Sequence, residues 1–171
     1  MGVFVIQVVG GQERRSAELV RKMLGDELQD CFAPVREVKK RKSSQWEKVR
    51  ELVFPGYLFL VTDDPKGAYT RLRQAPVLMR MLASAGDEFL PLSDEEIDWI
   101  RALAAPETHV VEMSEGFIEG DKVVVTSGPL RGREAQISKI DRHKRLAWLD
   151  MRMFGRNKSI KVGLEIVSKR S

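Results

Sequence analysis

Turn residues cut the last third of this 171-residue chain into pieces of strand length. Gly128-Pro129, the polar run Arg142-His143-Lys144-Arg145 and Phe154-Gly155 lie among short apolar stretches at 122–126, 133–140, 145–151, 157–162 and 165–167. Pro129 holds its φ at about −65°, and Gly128 and Gly132 tolerate positive φ, so the loop they bracket is stiff. Five short strands in about fifty residues predict a small β-barrel.

The same segment carries the positive charge. Of the 29 Lys and Arg, 13 lie in residues 116–171 against 6 of the 25 Asp and Glu, a net +7, which leaves −3 for residues 1–115. A basic third on a slightly acidic chain points to nucleic acid as its partner, the bland alternative being a solubilising surface.

With 43% hydrophobic residues there is apolar material for one large domain or two small ones, and two are expected. A single cysteine, Cys31, excludes an internal disulfide framework and fits a reducing compartment. Residues 1–10 lack the basic lead of a signal peptide, and no run approaches the roughly 18 apolar residues of a membrane span. The expectation is a soluble cytoplasmic protein with no membrane partner.

Residues 3–9 read as a buried strand ending at Gly10-Gly11, and a helix is predicted over 12–28 from Ala17, Val20, Leu24 and Leu28 on one face. A second strand is predicted over 31–38, with Lys39-Lys40-Arg41-Lys42-Ser43-Ser44 as a hairpin tip. The return strand covers 52–61, and its Pro55-Gly56 implies a bulge or an edge. Asp63-Asp64-Pro65 starts a helix that carries Ala68, Tyr69 and Leu72 inward and stops at Pro76; a fourth strand follows at 77–82. Ser93 with Glu96 forms a capping box ahead of Ile97, Ile100 and Leu103. The order β-α-β-β-α-β plus a helix predicts an α+β, ferredoxin-like (split βαβ) sandwich over residues 1–105. Polar residues from Pro106 to Glu115 form the expected linker, and the barrel occupies 116–171.

Gly120-Asp121-Lys122-Val123-Val124-Val125, Gly128-Pro129-Leu130-Arg131-Gly132 and Phe154-Gly155-Arg156 resemble the SH3-like KOW domain of NusG transcription factors. Phe54-Pro55-Gly56-Tyr57-Leu58, Gly11-Gln12-Glu13 and Leu90-Pro91-Leu92-Ser93 resemble the N-terminal domain of the same family, in the same order. The chain departs from it at the start, where Val3-Phe4 stands in place of the usual Trp-Tyr. The resemblance implies a monomeric elongation factor whose N-terminal domain grips the clamp region of RNA polymerase through a pocket containing Phe54, Pro55, Tyr57 and Phe4. It implies a docking role for Phe154, toward ribosomal protein S-ten or the termination factor Rho.

The basic turns decide which relative is most similar. Arg131 and Arg133, then Arg142, His143, Lys144 and Arg145, then Arg152, Arg156 and Lys158 are expected to form one patch on the barrel. Such a patch neutralises phosphates, and its Arg planes stack on unpaired bases. This makes the chain most similar to the specialised LoaP antiterminators, which implies recognition of a nascent RNA hairpin in an operon leader. Alternatives are a housekeeping NusG, a factor resembling RfaH that is recruited by single-stranded DNA, and a ribosome-associated RNA-binding protein.

Catalysis finds little support. Cys31 has no obvious partner in sequence, and His109 and His143 alone build no metal site, so no metal, cofactor or enzymatic activity is expected. Gly10-Gly11 before a helix lacks the rest of a nucleotide-binding fingerprint. Asp94, Glu95, Glu96 and Asp98 suit the first turns of a helix, where the dipole favours acids.

Overall fold

Apolar residues alternating toward one side make the first strand the spine of a small antiparallel sheet. In chain order the computed structural model contains β1 (Gly2–Val8), α1 (Glu13–Leu24), β2 (Leu28–Phe32), β3 (Val35–Lys42), β4 (Gln45–Leu52), β5 (Tyr57–Thr62), α2 (Pro65–Leu72), β6 (Met79–Met81) and α3 (Asp94–Leu103). It continues with β7 (Val110–Val111), β8 (Ser114–Glu119), β9 (Lys122–Ser127), β10 (Ile137–Asp141), β11 (Leu146–Met153) and β12 (Arg156–Ile166). Residues 2–76, 79–81 and 91–167 are described. They form two compact units, Met1–Ala33 with Phe54–Ile97 and Pro34–Val53 with Asp98–Ser171.

In the first unit the sheet order is β2-β5-β1-β6, antiparallel throughout, with α1 and α2 as the two crossovers. This is the ferredoxin-like arrangement expected from the sequence. Phe4, Ile6 and Val8 of β1 join Leu58, Leu60 and Cys31 against Ala17, Val20 and Leu24 of α1 and Ala68 and Leu72 of α2. Ile6, Leu58 and Leu60 are fully covered, each contributing about 1.5–3 kcal/mol of transfer free energy. Burial pushes the Cys31 thiol up to about 12, with Asp30 adding to the rise against Arg21, so the thiol stays protonated at neutral pH.

Several helix ends follow the sequence signals. The Asp64 carboxylate accepts the Gly67 N–H at 3.0 Å, and Ser93 and Glu96 cap reciprocally at 3.0 and 3.1 Å. Helix α1, expected to reach Leu28, stops at Leu24 because Gly25 turns to φ 53°; Leu28 opens β2 instead. The Gly11 N–H is bonded to the Glu13 carboxylate at 2.7 Å, so this helix entry holds its own acid.

The hairpin differs from expectation. Pro34, which has no N–H to give a ladder, separates β2 from β3 where one strand was expected over 31–38. Lys39 to Lys42, expected at the tip, continue β3, and the tip is Ser43-Ser44 with φ 50° and 69°. Two consecutive positive φ values are those of a two-residue type I′ turn, usually Asn-Gly rather than Ser-Ser. The Val53 N–H closes the base of the hairpin on the Pro34 carbonyl at 2.9 Å. The expected return strand splits at Phe54-Pro55-Gly56; Gly56 has φ 84° and its carbonyl accepts the Val8 N–H at 2.8 Å. Of the expected strand 77–82, β6 covers Met79–Met81, and 77, 78 and 82 lie outside the described residues.

The second unit holds the curled sheet β10-β11-β12-β8-β9 and the sheet β4-β3-β7. The segment expected as a linker contains β7, parallel to β3, and the start of β8, parallel to β12. A 3-10 turn at Glu134–Gln136 replaces the first half of the strand expected over 133–140. The strands expected at 157–162 and 165–167 are one, β12. Gly163 between them is buried, and a Cβ there would overlap the Glu37 carbonyl oxygen of β3. That glycine serves close approach of two backbones, not a turn. No described helix is long and apolar enough to cross a membrane.

Candidate nucleic-acid and protein interfaces

Alternation along β5 puts Tyr57, Phe59 and Val61 on the face opposite Leu58 and Leu60, away from α1 and α2. Phe59 is wholly buried there, stacked on Phe32 at 5.5 Å and 13° and tilted against Phe54 at 5.7 Å and 57°. Tyr57 is half-buried and Pro55 exposed at the edge of this aromatic group, with Phe54 buried beside them. The structure thus gathers Phe54, Pro55 and Tyr57. It turns Phe4 the other way, into the helix-facing core, so Phe4 does not share their surface. Phe32 and Phe59, which support that surface, look like ordinary strand residues in sequence.

The basic residues fall into two groups rather than one. The turn 142–145 and the turn at Phe154-Gly155 occupy opposite ends of the eight-residue β11, about 23 Å apart at the usual rise per residue. At the first end, Arg142, His143 and Lys144 are exposed, and the Lys144 N–H is held by Asp141 at 2.9 Å. The loop bearing Arg131 and Arg133 shares this end: Leu130 N–H bonds Ser114 Oγ at 3.0 Å, Ser114 is the strand partner of Leu164, and Leu164 N–H bonds the Arg145 carbonyl at 3.0 Å. At the second end, Arg152 and Arg156 are exposed, and Lys158 Nζ lies 5.1 Å from the centre of the half-buried Phe154 ring. Burial, with the Arg156 charge, pushes the Lys158 ammonium below its ordinary value. Phe154 takes φ 56° and Gly155 71°, a second two-residue turn.

Arg145 is the residue whose role the turn pattern hid. With φ 59°, its guanidinium lies 4.0 Å from the centre of the Trp46 ring of β4 and 3.8 Å from Glu165. Glu165 also accepts from Lys39 of β3 at 2.8 Å, so three charged residues and one indole fasten the hairpin to the barrel. The Lys39 hydrogen bond, with the charges of Lys39, Arg145 and Lys48, holds the Glu165 carboxyl below its ordinary 4.5 despite burial. The hydrogen bond from Lys40, with Arg36, does the same for Glu51.

Both carboxyls titrate lower folded than unfolded, so the stability they supply is present above pH 4.5 and is lost as pH falls through their folded values. The urea midpoint of the intact chain should therefore fall on acidification below about pH 4.5. Glu165→Gln should lower the unfolding free energy at pH 7 by about 1–3 kcal/mol, and flatten the acid limb. An unchanged acid limb in that variant would remove Glu165 from the account.

Among the described residues no group of three or more His, Cys, Asp and Glu converges as metal ligands would. What the surface offers is exposed cations on stiff turns and a small apolar edge, the chemistry of binding.

Two family models match the chain in succession. Residues 3–101 match the family model of the transcription termination factor NusG and residues 119–149 that of the KOW motif. The chain is similar to the transcription termination/antitermination protein NusG of Thermus thermophilus, 28% identical over 179 residues, covering 95% of this chain and 94% of that protein. It is similar to those of Lactococcus lactis, 29% identical over 162 residues and covering 91% and 85%, and Pseudomonas aeruginosa, 23% identical over 171 residues and covering 97% of each. With more than half of its length matched by one family model and a KOW motif behind it, the chain belongs to the NusG family of transcription termination/antitermination factors.

Proposed function

We propose that the chain is an antitermination factor that acts by binding: residues 1–105 grip the clamp region of RNA polymerase, and residues 116–171 choose the transcript by binding nascent RNA. The observation that carries this reading is the exposure of Arg131, Arg142 and Lys144 on turns at one end of the barrel. Such cations exchange counterions for phosphates. A grip that favours the closed, elongating polymerase suppresses pausing, provided its affinity for that state exceeds its affinity for the paused one. Holding the transcript raises the local concentration of the weaker polymerase contact.

Tyr57 and Pro55 supply the polymerase-facing surface in this reading, with Phe54 bracing them and Phe4 acting only through the core. Tyr57→Ala should weaken co-purification with polymerase by about thirtyfold, the effect of a central aromatic anchor at about 2 kcal/mol. Undiminished polymerase recovery by that variant would sink this placement.

A second reading is a housekeeping NusG in which Phe154 docks ribosomal protein S-ten or Rho. It is supported by the general NusG relatives and by the position of Phe154 at a turn tip. Crosslinking to transcripts separates the two: operon-restricted occupancy supports the specialised antiterminator, of which LoaP is the type, and occupancy throughout the transcriptome supports the housekeeping role.

A further inference from the structure

Between the β3–β4 hairpin and the turn 142–145 runs a groove of about 450 Å³. Six of its lining residues are cations, Arg36, Lys39, Lys40, Arg41, Lys144 and Lys161, and only Glu51 among the lining is acidic. Charge this concentrated in a concave site focuses potential in the cleft beyond what scattered surface lysines achieve. Arg36 and Lys40 are bound to Glu51 and Lys39 to Glu165, whereas Arg41, Lys144 and Lys161 are exposed. The first three shape the groove and the last three are available to an incoming anion.

The groove also has an aromatic wall. Trp46 is half-buried in its lining and its indole is fixed by Arg145 at 4.0 Å. A ring held in place before binding loses little freedom when a base stacks on it. A basic channel with a stacking platform is the construction used for unpaired nucleic acid. The volume lies in the range of small-ligand sites, roughly 300–1,000 Å³, large enough for an unpaired nucleotide.

We propose that this groove binds an unpaired segment of RNA, its phosphates met by Arg41, Lys144 and Lys161 and a base stacked on Trp46. The proposal rests on the reading of residues 116–171 as the RNA-binding part, and it adds the hairpin to the surface that does the binding.

The test uses the full chain and three fluorescein-labelled probes, a single-stranded RNA of about a dozen nucleotides, a fully paired RNA hairpin and single-stranded DNA of the same sequence. Arg41→Glu with Lys161→Glu should lower affinity for the single-stranded RNA by about tenfold or more. The same pair should reduce the slope of log affinity against log salt by about 1.4, as loss of two phosphate contacts on a single strand requires. Lys22→Glu with Lys66→Glu, exposed residues of the other unit, should leave both unchanged. Thiouridine-substituted RNA should crosslink to the peptide containing Trp46, a readout that needs no variant to fold.

Loss of binding on Arg152→Glu with Arg156→Glu, with none on Arg41→Glu with Lys161→Glu, would overturn the groove and leave the RNA-recruitment reading standing. Failure of the unaltered chain to bind any RNA probe would overturn both. Tighter binding of the DNA or the paired hairpin than of the single-stranded RNA would overturn the assignment of the occupant.

Discussion

Phe59→Ala should lower the unfolding free energy by about 3–5 kcal/mol, the range for removing a fully buried aromatic. Phe59 is wholly covered, and its ring is the common partner of Phe32 and Phe54. Truncation therefore removes the transfer free energy of the ring, leaves a void, and breaks two aromatic contacts worth about 0.5–1.5 kcal/mol each within that total. Equilibrium urea unfolding measures the loss, and Phe59→Leu, which keeps most of the volume, should recover more than half of it. Tyr57 lies two residues away on the same face, so polymerase binding should fall in Phe59→Ala even at temperatures where the variant is folded. A loss under about 1 kcal/mol would mean that the face relaxes around the gap and that the aromatic group is not the brace described above.

Gly128→Ala should cost about 2–4 kcal/mol, from two separable causes. Gly128 takes φ 95°, outside the range comfortable for a residue with a Cβ, and that Cβ would come within 2.5 Å of the Ser114 Cα and 2.8 Å of the Met113 carbonyl oxygen. Backbone cannot step aside as a flexible side chain can. The displacement would pull Leu130 N–H from Ser114 Oγ, to which it bonds at 3.0 Å, and would shift the loop that carries Arg131. Gly155→Ala is the control: φ is 71° with nothing within 4 Å, so only the conformational cost of about 1–2 kcal/mol applies. Denaturation curves should show the larger loss for Gly128→Ala, the difference coming from the overlap and from the less favourable φ of 95°. Equal losses would assign the whole effect to backbone conformation.

The ferredoxin-like order was legible because each of its signals is local. Asp64-Pro65 and the Ser93–Glu96 box act within one helical turn, and the apolar alternation of β1 needs only its own residues. What escaped depends on partners distant in sequence. β8 was hidden in a polar stretch because Ser114 is buried by its bond to Leu130 and its pairing with Leu164, neither visible from composition. Gly163 reads as a break in a strand until Glu37 of β3 is seen against it. Ser43-Ser44 fell inside the expected hairpin tip, but the tightness of the turn did not show, because serine at positive φ carries no strong local signal.

For the binding surfaces, the basic turns were legible as turns, but their distribution was not. Only the eight-residue span of β11 shows that Arg142–Lys144 and Arg152–Arg156 lie at opposite ends. Arg145, counted with the phosphate-neutralising residues, is committed to Trp46 and Glu165, while Lys161 and Arg41 joined the charged surface only once the hairpin lay beside the barrel.

The bond between Val53 and Pro34 gives the hairpin a property of its own. The chain leaves the ferredoxin-like sheet after Ala33 and rejoins it at Phe54 through two points clasped together, so everything between them is a closed excursion. Residues inserted at Ser43-Ser44 lengthen that excursion without shifting a register in the parent sheet, and loop closure grows only slowly with length. An insertion at that turn therefore changes the reach and charge of the hairpin while the strands that hold Tyr57 stay as they are.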